Sequence, residues 1–257
     1  MSPPLICPSC RHVHQGRWML SHLSPEGDWL RCLGCGQRHP VVDGLPLVLR
    51  AGLELQAEPE LDAQLVELMR ASSSGPLHAW LTQTITSLAG QVLDLGCGVQ
   101  AWGRTDVVGL DLRAGLLRAR GGVGVIADAA DPPFPPESFD AVLLVNLLDC
   151  VPNPQLVLAQ ADALLRPGGV LLISLPFAWD PVVPLERRFE WGTLRAALEG
   201  DRNALGMRFG YTLLQEHTLD WPIQRSDGSR ARLSTHTLLA RKAAAHSTLA
   251  PGPAGGA

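Results

Sequence analysis

The sequence predicts an α/β fold in which a mostly parallel sheet ends in a C-terminal antiparallel hairpin and follows a small cysteine-rich module. Short apolar segments alternate with helical or loop crossovers from residue 90 onward, which is typical of a parallel sheet covered on both faces. Two longer segments joined by a turn indicate the hairpin, and two closely spaced cysteine pairs mark the module.

Composition divides the chain into four expected units. These are an N-terminal module over 1–50, a helical linker region over 51–89, the α/β domain over 90–242 and a tail over 243–257. The tail consists mainly of small residues and proline, so it has little apolar surface to bury and is predicted to be disordered.

The apolar periodicity places the individual elements. Parallel strands are expected over 91–96, 106–111, 124–128, 139–146 and 170–176. Helices are expected over 58–71, 77–88, 154–165 and 191–199, and the Arg-Pro-Gly-Gly segment 166–169 is expected to stop the third of them. The hairpin strands are expected over 211–220 and 232–241, with a turn over 226–229.

Charge and hydropathy limit the function classes. The net charge of −4 gives no general attraction to nucleic acid, and the slight basic excess of residues 1–50 leaves RNA open as a partner without supporting it. The longest apolar runs, such as 141–148, are far shorter than the ~20 residues of a membrane span. The start of the chain has no signal-peptide pattern, so we expect a cytoplasmic protein without membrane contact.

The strongest motif is Val-Leu-Asp-Leu-Gly-Cys-Gly over 92–98, where an apolar strand runs into a glycine turn. Gly96 and Gly98 permit a sharp turn and a close approach of backbone to a ligand. Such a turn lies at the carboxyl end of the strand, where ligands bind in open α/β sheets. On its own, the motif is equally typical of an ordinary tight turn.

Two further acids change that balance. Asp111 ends the second strand, where a carboxylate accepts hydrogen bonds from both hydroxyls of a ribose. Asp128 ends the third strand and, with the amide of Ala129, has the chemistry to contact an adenine. Each acid alone is more typical of a helix cap or a solvated turn. Three acids at the ends of successive strands, in register with Gly96, favour a nucleoside ligand.

Residues 90–180 resemble a class I S-adenosylmethionine-dependent methyltransferase with a type-11 methyltransferase domain, carried by VLDLGCG, VVGLDL, IADAADPPFPPESFDAVLL and LLRPGGVLLISLP in order. The resemblance implies a Rossmann-like fold and S-adenosyl-L-methionine as cofactor, with Phe134 and Phe139 packed around the fourth strand. It implies a methionine end held by Asp94 and the two glycines, a ribose held by Asp111 and an adenine contacted by Asp128 and Ala129. The cofactor-binding residues expected in full are Asp94, Gly96, Gly98, Asp111, Leu112, Asp128, Ala129 and Asn146.

The chain departs from that family in three ways. Gln100 stands where a third glycine is usual. Residues 99–106 are too few for an ordinary crossover helix, so we expect a single turn or none. The acid–histidine pattern that often follows the fourth strand is replaced by Asn146 and Cys150, which removes that histidine as a base. The catalytic residue is therefore unknown, with Asn146 and Asp149 as weak candidates.

The cysteine pairs predict a zinc site. Cys7, Cys10, Cys32 and Cys35 form two C-x-x-C knuckles, and four thiolates close a tetrahedral Zn²⁺ shell, which favours a structural role. His12, His14 and His39 are alternative ligands, although surface histidines are the plainer interpretation.

Residues 5–50, which include Arg-His-Pro-Val-Val-Asp-Gly-Leu-Pro after the second knuckle, resemble the zinc-ribbon activator subunit of several methyltransferases. The resemblance implies a fused zinc ribbon, so no separate activator subunit is expected.

Three functions remain open from sequence. The first is a methyltransferase whose acceptor, a small molecule, RNA or protein, is unidentified. The second is a catalytically degenerate methyltransferase fold that serves as a scaffold with structural zinc. The third is an NAD-dependent enzyme, which the short first crossover disfavours because little helix remains to bind a pyrophosphate. The aromatic residues Phe177, Trp179, Phe189 and Trp191 either stack a flat substrate or pack the sheet edge, and Arg187 and Arg188 either bind an anion or face solvent.

Overall fold

The structure, a computed structural model, describes residues 3–15, 17–53, 55, 58–207 and 209–244. Most of the expected tail, from residue 245 onward, lies outside the described residues. None of the described helices combines the length and apolar character that crossing a membrane requires.

The N-terminal module is an all-β unit. Its strands are β1 (His12–His14), β2 (Arg17–Met19), β3 (Leu23–Glu26), β4 (Trp29–Cys32), β5 (Arg38–Val42) and β6 (Leu45–Pro46). The first two form an antiparallel ribbon, and the other four form a sheet in the order β3-β4-β5-β6. Cys32 ends β4, so the strand fixes the second cysteine pair opposite the first.

Two helices follow the module, α1 (Pro59–Ala71) and α2 (Gly75–Ser87). Each begins with proline in its first turn, where the missing N–H costs no hydrogen bond. Glu60 and Asp62 in the first turn of α1 and Arg70 in its last turn match the helix dipole. Both helices lie where they were expected.

The central sheet has seven strands. They are β7 (Val92–Leu95), β8 (Val108–Asp111), β9 (Gly124–Ile126), β10 (Phe139–Val145), β11 (Leu165–Leu175), β12 (Tyr211–Gln224) and β13 (Arg230–Lys242), in the spatial order β12-β13-β11-β10-β7-β8-β9. Strands β7 to β11 are parallel, while β13 pairs antiparallel with both β11 and β12. The mostly parallel sheet with a C-terminal hairpin is confirmed.

The crossovers explain the remaining layers. The segment between β7 and β8, all of it described, contains turns and no helix, as the short spacing predicted. The later helices are α3 (Ala114–Arg120), α4 (Pro154–Leu164), α5 (Trp191–Leu198) and α6 (Arg202–Leu205). As expected, α4 ends before segment 166–169, but the start of the strand, expected at 170, was wrong. The buried Leu165 already pairs with Phe139, so β11 begins directly where α4 ends.

The core lies on both faces of the sheet. Buried side chains from β7, β8, β10 and β11 are almost entirely aliphatic, as a doubly covered parallel sheet requires. Phe134 and Phe139 are both buried and meet edge to face with ring centroids 5.1 Å apart. Their expected packing role is therefore seen.

The N-terminal module is joined to the β9 edge of the central sheet. Leu47 bridges Ile126 in parallel, and the Val48 N–H donates to the Ile126 carbonyl at 2.9 Å. Arg11, almost fully buried, pairs with Asp131 in the loop after β9. Arg50 contacts the same carboxylate at 3.1 Å. The module therefore contacts the loop that begins with Asp128.

Candidate functional site

The glycine turn follows β7 directly. The N–H groups of Gly96 and Cys97 both donate to the Leu110 carbonyl, at 2.8 and 3.1 Å, which folds the turn back on β8. Gly96 has φ +64° and Gly98 has φ +53°, a region that disfavours side chains. A Cβ atom on Gly96 would lie 2.3 Å from the Leu147 side chain. Both glycines are therefore required by the local backbone.

Asp94 lies inside β7, with no solvent exposure. Its Oδ2 accepts a hydrogen bond of 2.8 Å from the indole N–H of Trp102, which lies in the short first crossover. Its Oδ1 is buried without a partner among the described residues. Burial raises the pKa of Asp94 to about 7, although the Trp102 hydrogen bond lowers it. The orphaned oxygen is suited to a cationic or hydrogen-bond-donating ligand group.

Asp111 ends β8 and joins two loops. Its Oδ2 accepts the Gly98 N–H at 3.0 Å, and its Oδ1 accepts the Arg113 N–H at 2.9 Å. A carboxylate has about four lone-pair sites, so acceptor capacity remains on each oxygen. Burial raises the pKa of Asp111, and the two backbone N–H groups partly offset that effect.

Asp128 follows β9 and shapes a turn. Its Oδ1 accepts the Ala130 N–H at 2.8 Å, and its carbonyl accepts the Asp131 N–H at 3.0 Å. Ala129 is buried beside it. One oxygen of Asp128 therefore stabilises a turn, which agrees with the turn interpretation of this residue. The second oxygen is not engaged in the described hydrogen bonds.

The sheet order brings the three acids together. Because β7, β8 and β9 are adjacent and parallel, Asp94, Asp111 and Asp128 lie at one rim of the sheet, beside the glycine turn. The convergence that the sequence predicted is present. Their depths differ, since Asp94 is fully buried whereas the other two are partly exposed.

Two cavities flank this rim, and α1 lines both. The first, about 230 Å³, is bounded by the glycine turn, Asn146, Met69 and residues of α2. The second, about 610 Å³, is bounded by α1, Leu112, Arg113, Ile126 and two residues of the N-terminal module, Val42 and Leu47. Asp111 bonds Gly98 in the wall of the first cavity and Arg113 in the wall of the second, so its carboxylate lies between them.

The two weak catalytic candidates have different environments. Asn146 follows β10 with φ +51°, and the Ser174 hydroxyl donates to its Oδ1 at 2.6 Å. Its amide N–H₂ has no hydrogen-bond acceptor among the described residues and lies at the first cavity. Asp149 is 1% exposed, and its Oδ2 accepts the Ala178 N–H at 3.0 Å. Burial raises the pKa of Asp149. Its carboxylate therefore holds the loop after β11 in place through the Ala178 N–H.

The first cavity also contains residues that the motifs did not indicate. His78 and Leu81 come from α2, Trp102 from the first crossover and Trp221 from β12. The indole N–H of Trp221 donates to the Ser72 carbonyl at 3.0 Å, which fixes the hairpin to the end of α1. No local pattern marks these residues, because their position depends on how α2 and the hairpin fold over the sheet.

The aromatic residues after β11 pack mainly on one another. Phe177 meets Trp179 at 6.0 Å and Trp191 at 6.4 Å, and Trp179 meets Phe189 at 5.3 Å between ring centroids. Arg188 donates to the Val183 carbonyl at 3.0 Å. These contacts favour the packing interpretation of the segment over a substrate-stacking role.

Comparisons with known proteins agree with this geometry. The family model described as a methyltransferase domain matches residues 93–173, which run from β7 into β11. A demethylmenaquinone methyltransferase of Thermobifida fusca is 30% identical over 177 residues, which cover 61% of this chain and 75% of that protein. The chain belongs to the S-adenosylmethionine-dependent methyltransferases. A ubiquinone biosynthesis O-methyltransferase of Methylococcus capsulatus is 32% identical over 125 residues, covering 42% of this methyltransferase and only 53% of that relative.

A solved structure shares the fold. It is a complex between the Trm112 methyltransferase activator of Haloferax volcanii and a methyltransferase, with a TM-score of 0.53 and 17% identity. The match covers 74% of this methyltransferase and 99% of the matched chain. At that identity the likeness shows the fold alone.

The four cysteines of the methyltransferase's N-terminal module form one cluster. Their sulfur atoms all lie within 4.8 Å of one another, with 4.0 Å between Cys7 and Cys35 and 3.6 Å between Cys10 and Cys32. Tetrahedral zinc with Zn–S bonds of about 2.3 Å separates sulfurs by about 3.8 Å, so the cluster is compatible with zinc. His12 and His14 are exposed, whereas His39 is 2% exposed, so a surface position was wrong for His39.

The second knuckle favours thiolate. Burial raises the pKa of Cys32, but the N–H groups of Cys35 and Gly34, 3.5 and 3.3 Å from its sulfur, lower the pKa to about 7. Thiolate is the form that binds metal.

Proposed function

We propose that this chain transfers the methyl group of S-adenosylmethionine to a small, largely apolar acceptor that carries a ring hydroxyl. The observation that carries the proposal is the convergence of Asp94, Asp111 and Asp128 on one rim with a glycine turn and two flanking cavities. The cofactor supplies an electrophilic methyl group on a positively charged sulfur.

The residues on the rim fit the parts of that cofactor. Asp94 has an orphaned buried oxygen, which suits the methionine ammonium group. Asp111 keeps acceptor capacity on both oxygens and lies between the two cavities, which suits a ribose joining a methionine end to an adenine end. Asp128, Ala129 and Leu112 are assigned to the adenine. Binding requires the side chains of Met69 and Leu147, now packed near Gly98 and Gly96, to shift.

The acceptor is assigned to the first cavity. Leu77, Leu81, Trp102 and Trp221 make its wall largely apolar, and Asn146 offers its amide N–H₂ to an oxygen. Two relatives, named as a ubiquinone biosynthesis O-methyltransferase and a demethylmenaquinone methyltransferase, support an acceptor of the quinone class. In methyl transfer the protein mainly aligns the nucleophile and excludes water.

The rival functions gain no support. An NAD-dependent enzyme would bind pyrophosphate at a helix N-terminus after the glycine turn, and the described segment between β7 and β8 contains no helix. A degenerate scaffold has no need of a cavity that reaches both Gly96 and Asn146.

The module is proposed to hold a structural zinc ion and to act as a built-in support for the Asp128 loop. The four thiolates would complete the zinc shell and leave no open position for a substrate. Arg11 and Arg50 reach Asp131, three residues after Asp128, so the module restrains the adenine side of the rim. We therefore propose that the chain needs no separate activator subunit.

Titration calorimetry with S-adenosylmethionine tests the cofactor assignment. Asp111→Ala should weaken binding by about 1–3 kcal/mol, roughly 5- to 150-fold in Kd, because a charged acceptor for the ribose is lost. Asp220→Ala, which removes an exposed carboxylate on β12, is the control and should bind like the wild type. Unchanged affinity in Asp111→Ala, or a response to NAD instead, would remove the assignment.

The acceptor class is tested separately by mass spectrometry. Cell extract is incubated with the protein and cofactor labelled in its methyl group, and labelled products are compared with those of Asp111→Ala. We expect label on the oxygen or ring carbon of a small hydroxylated aromatic compound. Label confined to RNA or protein would contradict the acceptor proposal.

A further inference from the structure

The first cavity contains one histidine, His78, at the start of α2. The side chain is partly buried and lines the same wall as Gly96 and Asn146. Its ring lies 5.7 Å from the Trp102 ring, centroid to centroid, at an interplanar angle of 33°. Within the described part of the chain, no hydrogen bond holds either ring nitrogen. Its nitrogen lone pair is therefore free to accept a proton in the cavity.

We propose that His78 is the general base that removes the hydroxyl proton of the acceptor during methyl transfer. The proposal rests on the proposed function and deepens it by naming the group that activates the nucleophile. The base then comes from α2. The segment after β10, where the family often has a histidine, carries Asn146 and Cys150 in this chain.

The other titratable groups near this cavity are unsuited to the task. Burial raises the pKa of the Cys150 thiol to about 12 and that of Cys97 well above its usual range, so both remain protonated at neutral pH. Asp149 is buried and bonded to the Ala178 N–H. Asp94 accepts the Trp102 N–H with one oxygen and is assigned to the ammonium group of the cofactor with the other. His78 is the remaining group with both access and basicity.

The environment of His78 favours the neutral imidazole. Burial lowers the pKa of His78, so the ring carries a free lone pair at neutral pH and accepts a proton only when one is offered. The wall around it offers no carboxylate that would hold it protonated.

The methyl-transfer step balances in protons and electrons. The acceptor O–H bond breaks and its proton passes to the imidazole nitrogen of His78. The acceptor oxygen uses a lone pair to bond the methyl carbon. The methyl carbon–sulfur bond breaks with its electron pair left on sulfur, and the imidazolium later returns the proton to water.

The test uses 4-nitrocatechol as a probe, because its visible absorbance distinguishes the neutral phenol from the phenolate. The full chain is loaded with S-adenosylhomocysteine and mixed with the probe at a pH where the free probe is mostly neutral. We expect the bound probe to show a larger phenolate fraction in the wild type than in His78→Gln. The control, His217→Gln, changes an exposed histidine on β12 and should match the wild type.

A second measurement follows methylation of the same probe with S-adenosylmethionine. His78→Gln, and His78→Asn if the first variant does not fold, should lose about 10²- to 10⁴-fold in kcat and also lose the acidic limb of the pH–rate profile. Cofactor affinity should stay within a few-fold of the wild type in both variants.

The outcomes separate the two proposals. A phenolate fraction equal to that of the wild type, or a wild-type rate, in His78→Gln would overturn the role of His78. A wild type that binds cofactor but neither binds nor methylates the probe would also overturn it, while the cofactor assignment stands. A wild type that binds no cofactor would instead remove the proposed function.

Discussion

Asp94→Asn should make the ligand-free protein more stable at neutral and alkaline pH. The wild-type carboxylate has no exposure, one hydrogen-bond partner and one orphaned oxygen. Asparagine has nearly the same shape, keeps an oxygen to accept the Trp102 N–H and carries no charge. The substitution therefore removes the cost of burying an ion and retains the packing.

The magnitude follows from the pKa of Asp94. Burial raises that pKa from 3.8 to about 7, and each pKa unit corresponds to about 1.36 kcal/mol. The folded state holds the proton more tightly than the unfolded state, so the charged form costs stability as pH rises from 3.8 to about 7. Relative to the wild type, the free energy of unfolding of Asp94→Asn should therefore rise by about 1.4 kcal/mol per pH unit in that window. The difference should reach about 4 kcal/mol above pH 7.

Urea unfolding of the ligand-free protein at pH 5, 6, 7 and 8 measures this difference. Asp140→Asn is the contrasting variant, because the Arg166 and Gln91 hydrogen bonds outweigh burial and lower the pKa of Asp140. Its carboxylate stabilises the fold above the unfolded pKa, so its loss should destabilise at every pH used. The reasoning about Asp94 would be refuted if Asp94→Asn raised the free energy of unfolding equally at every pH. A lower free energy of unfolding than the wild type at pH 8 would also refute it.

Three further predictions concern other parts of the chain. Removal of zinc by a chelator, or Cys32→Ser, should unfold the N-terminal module, since zinc binding of about 10–16 kcal/mol supports a small sheet; metal analysis and hydrogen exchange in β3–β5 measure this. Asp131→Ala should cost about 1.5–3 kcal/mol by urea unfolding, because Arg11 would stay buried without its carboxylate. Gly96→Ala should weaken cofactor binding in calorimetry, since a Cβ would occupy space where the backbone approaches the ligand and a side chain at φ +64° adds about 1–2 kcal/mol of strain. Retained zinc with reduced cofactor affinity in that variant would match the account, whereas wild-type affinity would contradict it.

Local signals explain which features the sequence could predict. The glycine turn, the acids at strand ends and the cysteine knuckles each depend on short stretches whose geometry is set by neighbouring residues. The absence of a first crossover helix was predicted from the shortness of segment 99–106 alone, and the structure confirms it for that described segment. The three acids met at one rim because adjacent parallel strands end at the same edge.

Features that depend on long-range packing escaped prediction. The Arg-Pro-Gly-Gly segment was expected to precede the strand, whereas β11 already begins at Leu165, which is buried and pairs with Phe139. His39 looked like a surface residue and is buried inside the module. His78 carries no motif at all, because its place in the cavity is fixed only when α2 packs against β12 and Trp221 binds Ser72.

A crystal structure with S-adenosylhomocysteine tests the central claim most directly. We predict ribose hydroxyls on Asp111, the amino group of the ligand near Asp94 and the adenine beside Asp128 and Leu112, with Met69 and Leu147 displaced from the glycines. Ligand density away from this rim, or a rim still closed by Leu147 and Met69 at saturating ligand, would contradict it.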